Sequence, residues 1–374
     1  MKELIWCQEC LLPNSRPNLF INPNGICNAC LNNKNKNYVN WKKRLILLKR
    51  IIRNIKKKNS KFDCLIPVSG GKDSTWQTFK CLELGLRPLA FTWRPPERTP
   101  IGEKNLKNLI SLGVDHIDWT INPNVESKFT LKSFIKFGST AIPMHMAIHN
   151  ISRNIAANFG IPLIVWGENS ALEYGQNSDA DLSYKVSQNW RKYYGVNNGT
   201  TFYDWVENDL TEKELASYYP YYKNSNKKII EIFLGNFLKW DPVNIYNFSK
   251  KKGFKSNNEV RTGFYKFADI DDNLISIHHW MKWYKFGFTR LFDNLSIEIR
   301  NKRLTRLKAI NLIKENKNFL PLSDIKKFCH FTNIKVSYFF KIAQNFRNKT
   351  IWKKVHNKWM INNFLIKDWK WQKY

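Results

Sequence analysis

No run of apolar residues in this 374-residue chain reaches the roughly 18 needed to cross a bilayer as a helix. Acidic side chains are scarce: 30 Asp and Glu stand against 61 Lys and Arg, for a formal net charge of +31. No internal repeat is visible. The N-terminus MKELIWCQEC is polar and cysteine-bearing where a secretory signal would be apolar, so a cytoplasmic protein is expected. Core material is plentiful. With 43% hydrophobic residues, including 25 Phe, 15 Trp and 15 Tyr, the composition excludes a disordered tail and a disulfide-stapled miniprotein.

The charge is uneven. Residues 1–61 hold 14 basic and 2 acidic side chains (+12), residues 301–374 hold 18 and 3 (+15), and residues 62–300 hold 29 and 25 (+4). A nucleic acid would therefore have to sit on the two ends, because attraction to phosphate follows local charge density. A codon bias toward Lys, Asn and Ile on solvated positions leaves the same excess.

Four segments follow from the patterning. Residues 1–33 hold Cys7-x2-Cys10 and Cys27-x2-Cys30 around a Pro- and Gly-containing stretch too short for a core. Residues 34–61 contain Trp41, Leu45, Leu48, Ile52 and Ile55 at helical spacing among Lys and Arg, which fits a connecting helix or a basic helix on a membrane surface. Over 62–240 short apolar runs alternate with helical stretches, as in βαβ units around a parallel sheet. Strands are expected at 62–68, 87–93, 116–119 and 162–166, and helices at 74–84, 103–112 and 144–159. A loop is expected before residue 144, and loops with substrate-facing insertions beyond residue 170. Residues 241–374 read as mostly helical, ending in a basic, aromatic tail.

Two turns presenting two thiolates each complete a tetrahedral site, so Cys7, Cys10, Cys27 and Cys30 are expected to bind a structural Zn2+ with no open coordination position. Ser69-Gly70-Gly71-Lys72-Asp73-Ser74 sits between an expected strand and an expected helix. Glycines there let backbone N–H groups face an anion, Lys72 can neutralise phosphate, Asp73 can hold Mg2+, and the Ser69 and Ser74 hydroxyls can donate to phosphate oxygens. The spacing is not that of a Walker A loop. Gly167, Glu168 and Asn169 follow the fourth strand and could face a nucleotide or substrate, or form a strand-ending turn. Asp269, Asp271, Asp272, His278, His279, Arg290 and Arg300 concentrate polar groups in an apolar region. The carboxylates could bind Mg2+ or sugar hydroxyls and the arginines a phosphate, or the aspartates could be helix caps.

Ser69–Ser74 resembles the PP-loop of the ATP pyrophosphatases. Together with CQECLLPNSRPNLFINPNGICNAC (7–30) and the stretch from Asp269-Ile270-Asp271-Asp272 through YKFGFTR (284–290) to Ile299-Arg300, it is similar to the N-acetyl sugar amidotransferases of surface-polysaccharide and flagellar-glycan biosynthesis. The resemblance runs to about residue 315 and leaves the last 60 or so residues unmatched. It implies an α/β, parallel-sheet PP-loop domain of the adenine nucleotide α-hydrolase-like kind, with an N-terminal zinc ribbon and a mostly helical C-terminal region. It also implies ATP as cofactor, with AMP and pyrophosphate as products, and conversion of an acetamido to an acetamidino group on a nucleotide-linked sugar, as in O-antigen or other lipopolysaccharide assembly. ATP is then expected across the strand ends where strand order reverses between the first and fourth strands. No glutaminase nucleophile is visible, since Cys64 and Cys81 fall inside a strand and a helix and Cys329 stands alone. The family's partners, a glutaminase subunit and a barrel-shaped protein resembling the halves of imidazole-glycerol-phosphate synthase, would supply ammonia. The rival reading is a PP-loop enzyme that modifies tRNA by amine ligation or thiolation, which the net charge would suit. A non-enzymatic zinc-ribbon RNA binder would leave the loop without a purpose.

Overall fold

The computed structural model describes residues 3–220, 229–316 and 320–371. Its centre is a five-stranded sheet of β1 (Cys64–Pro67), β2 (Pro88–Trp93), β3 (Asp115–Trp119), β4 (Leu163–Trp166) and β5 (Ile230–Phe233), in the order β3-β2-β1-β4-β5 with every pair parallel. Alternation along the strands sends side chains to two cores. On one face Cys64, Ile66, Ala90, Leu163 and Val165 meet α2 (Trp41–Lys56), α3 (Lys72–Glu83), α4 (Pro100–Ile110) and α9 (Pro242–Lys251). On the other, Leu65, Leu89, Phe91 and Ile164 meet α5 (Pro123–Phe137) and α6 (Ile142–Asn158). The expected basic helix lies against the first face through Leu48, Ile52 and Ile55.

Short helices α1 (Asn28–Asn35), α7 (Ser170–Tyr174) and α8 (Gln188–Tyr194) flank the strand ends. The C-terminal region is built from α10 (Ile275–Phe286), α11 (Arg290–Arg300), α12 (Arg306–Glu315), α13 (Leu322–Phe331) and α14 (Val336–Asn345). Its helices α10, α13 and α14 share a core with Phe134 of α5. A second core joins α11 and α12 to Leu4 and Leu11 near the N-terminus and to Trp352, Ile361 and Phe364.

Three expectations give way. The stretch before residue 144, read as a loop, holds α5, whose buried stripe of Val125, Glu126, Phe129, Thr130, Ser133 and Phe134 is half polar and so hides the hydrophobic period. The insertions beyond residue 170 include the edge strand β5, while 221–228 lie outside the described residues. The tail is not helical throughout: β6 (Trp352–Val355) and β7 (Lys358–Ile361) pair as an antiparallel hairpin. Its two-residue turn, His356-Asn357, has φ of 44° and 60°, a primed turn made without the glycine that would have announced it.

Glu126 on α5 accepts a 2.8 Å hydrogen bond from Trp93 Nε1, and burial pushes its carboxyl up to about 8. The folded state therefore holds a proton that the unfolded chain has lost above about pH 4.5. Stability should fall as pH rises from about 4.5 to 8 and level off beyond, because ionised Glu126 is penalised only in the folded state. Glu126→Gln keeps the acceptor and removes the ionisation, so it should melt higher than the parent at pH 8 and at nearly the same temperature at pH 5. Thermal melts across that range check this; parallel curves at both pH values would refute it.

Candidate active-site cleft

Beyond β1 the Val68 N–H still donates to the Phe91 carbonyl (2.7 Å), and the chain then turns through Ser69, Gly70 and Gly71 into α3. Gly70 has φ +85°, and a Cβ there would stand 2.6 Å from the backbone nitrogen of Leu106 on α4. Only glycine meets both conditions. Ser69 N–H donates to Ser74 Oγ (3.1 Å) and Gly71 N–H to Ser69 Oγ (3.3 Å), which holds the loop closed. The first-turn N–H groups of α3 have no intrahelical acceptors and carry the positive end of the helix dipole. They stand beside the β1–β4 neighbour pair, where the strand order reverses. Lys72 pairs with Asp73, its ammonium 5.5 Å from the ring centres of Trp240 and Phe267, and Asp73 Oδ1 accepts from Trp240 Nε1 (3.0 Å).

A cleft of about 560 Å³ lies over these strand ends. Ser69 and Ser74 form its loop side, and Gly167 and Glu168 follow β4. Aromatic residues Trp166, Trp190, Tyr193, Tyr194 and Phe233 make another wall, with Trp190, Tyr193 and Tyr194 coming from the insertion expected to face substrate. Asp271, Asp272, His278, His279, Lys282, Lys285 and Arg290 enter from the C-terminal region, and Arg16, Pro17 and Asn18 from the segment between the cysteine pairs. Gly102 lets the first turn of α4 approach the Asp271 backbone, where a Cβ would come within 2.7 Å of Asp271 Cα.

Burial shapes the charges. It raises Glu168 to about 7, with the negative charge of Asp73 adding to it, and raises Asp272 to about 7. Asp271, hydrogen-bonded to Ser69, is also raised by burial. Burial lowers His145 and His279 to about 4 and holds His149 and His278 well below the ordinary histidine value, so all four imidazoles are neutral at physiological pH. Asp269 behaves oppositely: against its burial, His279 (3.3 Å) and Arg290 (3.4 Å) keep it well below the usual carboxylate range.

Of the residues singled out from sequence, Ser69, Ser74, Gly167, Glu168, Asp271, Asp272, His278, His279 and Arg290 line the cleft. Gly70, Gly71, Lys72 and Asp73 complete the loop behind it. Asp269 stands one layer back, bonded to His279 and Arg290. Asn169 is buried beneath, capping α7 through the Ala171 N–H and accepting from Trp190 Nε1. Arg300 points elsewhere, donating to the Glu173 carbonyl (2.8 Å). Sequence reasoning missed Arg16, Lys282, Lys285, His145 and His149. The two histidines, four apart on α6, had a helical spacing that could have found them; Arg16 had no local signal.

The four N-terminal sulfurs lie within 4.8 Å of one another, all buried and none in a disulfide. Cys10–Cys27 and Cys7–Cys30 are 3.7 and 4.0 Å apart, against the S···S distance of about 3.8 Å that tetrahedral Zn–S bonds of about 2.3 Å require. Such a centre carries two net negative charges. Arg300, buried within electrostatic reach of Cys10, Cys30 and Cys27 and with its Nη1 unpartnered, supplies an offsetting cation. The donor set fits zinc.

These features define an α/β protein with a parallel sheet, an anion-binding loop on its central strand, a four-cysteine module and a helical C-terminal region. Residues 253–365 match the family model described as LPS biosynthesis protein WbpG-like, C-terminal domain, which is consistent with the N-acetyl sugar amidotransferase resemblance. The match covers less than a third of the chain, and it extends through most of the tail that the sequence motifs had left out. Two solved structures are similar: NMN synthetase from Francisella tularensis (11% identity, 79% of this chain and 94% of that one, TM-score 0.35) and a predicted subunit of tRNA methyltransferase from Methanocaldococcus jannaschii (14%, 63% and 91%, TM-score 0.30). At those TM-scores neither carries an argument. No curated protein matches the chain.

Metal analysis of protein purified without added zinc should find about one equivalent per chain, lost in Cys27→Ser. A metal-free, stable protein would refute the assignment. Gly70→Ala should cost about 2–4 kcal/mol in denaturant unfolding, from left-handed strain and overpacking against Leu106. Gly71→Ala, at φ −65° with only Ser69 Oγ nearby at 3.3 Å, should cost less than about 1 kcal/mol. Equal losses would show that the close approach does not matter.

Proposed function

We propose that the protein is an ATP-dependent amidotransferase that turns the acetamido group of a nucleotide-linked N-acetyl sugar into an acetamidino group, releasing AMP and pyrophosphate, in O-antigen or related glycan assembly. One observation carries the reading: the Ser69–Ser74 loop opens onto a cleft that is also lined by residues between 271 and 290, within the WbpG-like match.

An amide carbon is a poor electrophile. The acetamido oxygen attacks the α-phosphorus of ATP, the bond from that phosphorus to its bridging oxygen breaks, and pyrophosphate leaves toward the loop. The N–H groups of α3 and the Lys72 ammonium stabilise the charge gathering on it. Magnesium carried in with ATP would neutralise phosphate charge, and Asp73 and Glu168 are the residues to hold it. Among the described residues no three carboxylates converge on a metal site, which suits a cation bound by one or two carboxylates plus phosphates. Ammonia then adds to the imidate carbon, AMP departs with the former amide oxygen, and the proton lost from nitrogen passes to a neutral imidazole such as His145 or His278.

Ammonia arrives from a separate glutaminase through a barrel-shaped partner. Cys64, Cys81 and Cys329, the cysteines outside the N-terminal cluster, are all buried; the neighbouring Cys81 thiol and burial raise Cys64, and burial raises Cys329, away from nucleophilic use. A cytoplasmic setting suits this supply, and no helix among the described residues is long and apolar enough to cross a membrane.

With ATP, Mg2+, ammonium and a panel of UDP- and CMP-linked N-acetyl sugars, the purified chain should release AMP and pyrophosphate and form an amidine detectable by mass spectrometry. Glutamine alone should give nothing. Asp73→Asn should cut turnover about a hundredfold with little change in melting temperature. ADP and phosphate as products, or ATP cleavage stimulated by tRNA and indifferent to every sugar, would overturn the reading.

A further inference from the structure

The cleft holds a concentration of positive charge beside the loop residues. Arg16, Lys282, Lys285 and Arg290 all line it. Asp293, wholly buried, takes Arg16 Nε at 2.9 Å and Lys282 Nζ at 2.8 Å, while Asp269 takes Arg290. Lys285 has no carboxylate partner among the described residues; its Nζ donates to the Phe137 carbonyl (2.9 Å). Four cations thus meet two carboxylates. Of the other acidic groups in the cleft, Asp271 lies near Ser69 and Glu168 near Asp73, while Asp272 accepts from the Leu274 N–H and is raised by burial to about 7.

Cations buried in excess of their counter-charges are costly and either lose protons or wait for an anion. Burial brings both lysines down to about 8: Lys285 has only Lys282 as a charged neighbour, and Lys282 falls even though it shares Asp293 with Arg16. A guanidinium cannot discharge in this way. Arg16 is held by Asp293 on one side and by Tyr174 on the other, its Cζ 4.7 Å over the ring, so it is fixed at the cleft without being neutralised by a partner of its own.

We propose that Arg16, Lys282, Lys285 and Arg290 form an anion subsite separate from the Ser69–Ser74 loop, which holds the phosphate or diphosphate of the acceptor. The four-cysteine module is thereby part of the substrate site. This rests on the amidotransferase reading for the acceptor's identity, but the subsite can be tested without turnover. The loop takes the phosphates that leave; the four cations take those that stay on the sugar. Holding the two anions on separate groups of one cleft orients the acetamido group toward the α-phosphorus.

The test uses the full-length, zinc-loaded chain, with α,β-methylene-ATP and Mg2+ at saturation to fill the loop. Calorimetric titration with UDP, GDP, dTDP and CMP should show at least one binding, and Lys285→Met and Arg16→Met should each weaken it about tenfold, the loss of one charge-assisted contact. Affinity for α,β-methylene-ATP should stay within about twofold of the parent. Lys285→Met breaks no ion pair, so it keeps the test open should Arg16→Met fold poorly; zinc content and melting temperature report on folding. No nucleotide binding to the loop-filled parent, unchanged affinity in both variants, or a matching loss of α,β-methylene-ATP binding would each overturn the subsite. If the subsite holds while no amidine forms with any sugar, the amidotransferase reading fails and the anion site stands.

Discussion

The carboxylate of Asp293 is the point on which the cationic group of the cleft depends. It is wholly buried and accepts from Arg16, which lies between the two cysteine pairs, and from Lys282 on α10. A buried ion pair of this kind contributes little net stability, because desolvation offsets most of the Coulomb attraction. What it secures is position. Two chain segments more than 250 residues apart are held so that their cations share one surface of the cleft. Supporting contacts run alongside: Ser15 Oγ donates to the Phe286 carbonyl, Leu11 N–H to Ser296 Oγ, and Arg306 Nε to the Cys10 carbonyl.

What could be read in the sequence was local. The cysteine pairs, the loop, and the strands at 64–67, 88–93, 115–119 and 163–166 each carry their signal within a few residues. What could not be read was set by partners far away in the chain. Helix α5 was hidden because Glu126, Thr130 and Ser133 are buried polar residues, matched to Trp93 and the Ser139 carbonyl in the cases of Glu126 and Ser133. Strand β5 is four residues long and gains its identity by pairing with β4 on one edge and bonding to residues 184–186 on the other. Arg16 reads as a loop arginine until Asp293 is placed opposite it.

The basic, aromatic tail shows how one composition can serve two surfaces. Its aromatic rings turn inward: Trp352, Phe364, Trp369 and Trp371 gather round Trp283 of α10 or one another. Lysines such as Lys353 and Lys354 turn outward. The tail thus packs its rings against Trp283 on the same helix that carries Lys282 and Lys285.

The contact between the two ends of the described chain also bears on how the protein is made. Trp6 Nε1 donates to the Asn363 carbonyl, Asn363 donates to Glu3, and Leu4 and Leu11 are buried in one cluster with Ile351, Trp352 and Phe364. During synthesis the N-terminal segment emerges before its partners, and the cover of its apolar face, begun by Phe292 and its neighbours on α11 and α12, is complete only after residue 364 has cleared the ribosome. The metal can assemble early, since all four thiols lie within the first 30 residues, but the surface around it must wait through some 330 further residues of translation. The chain's most local structure is therefore among the last to be sealed.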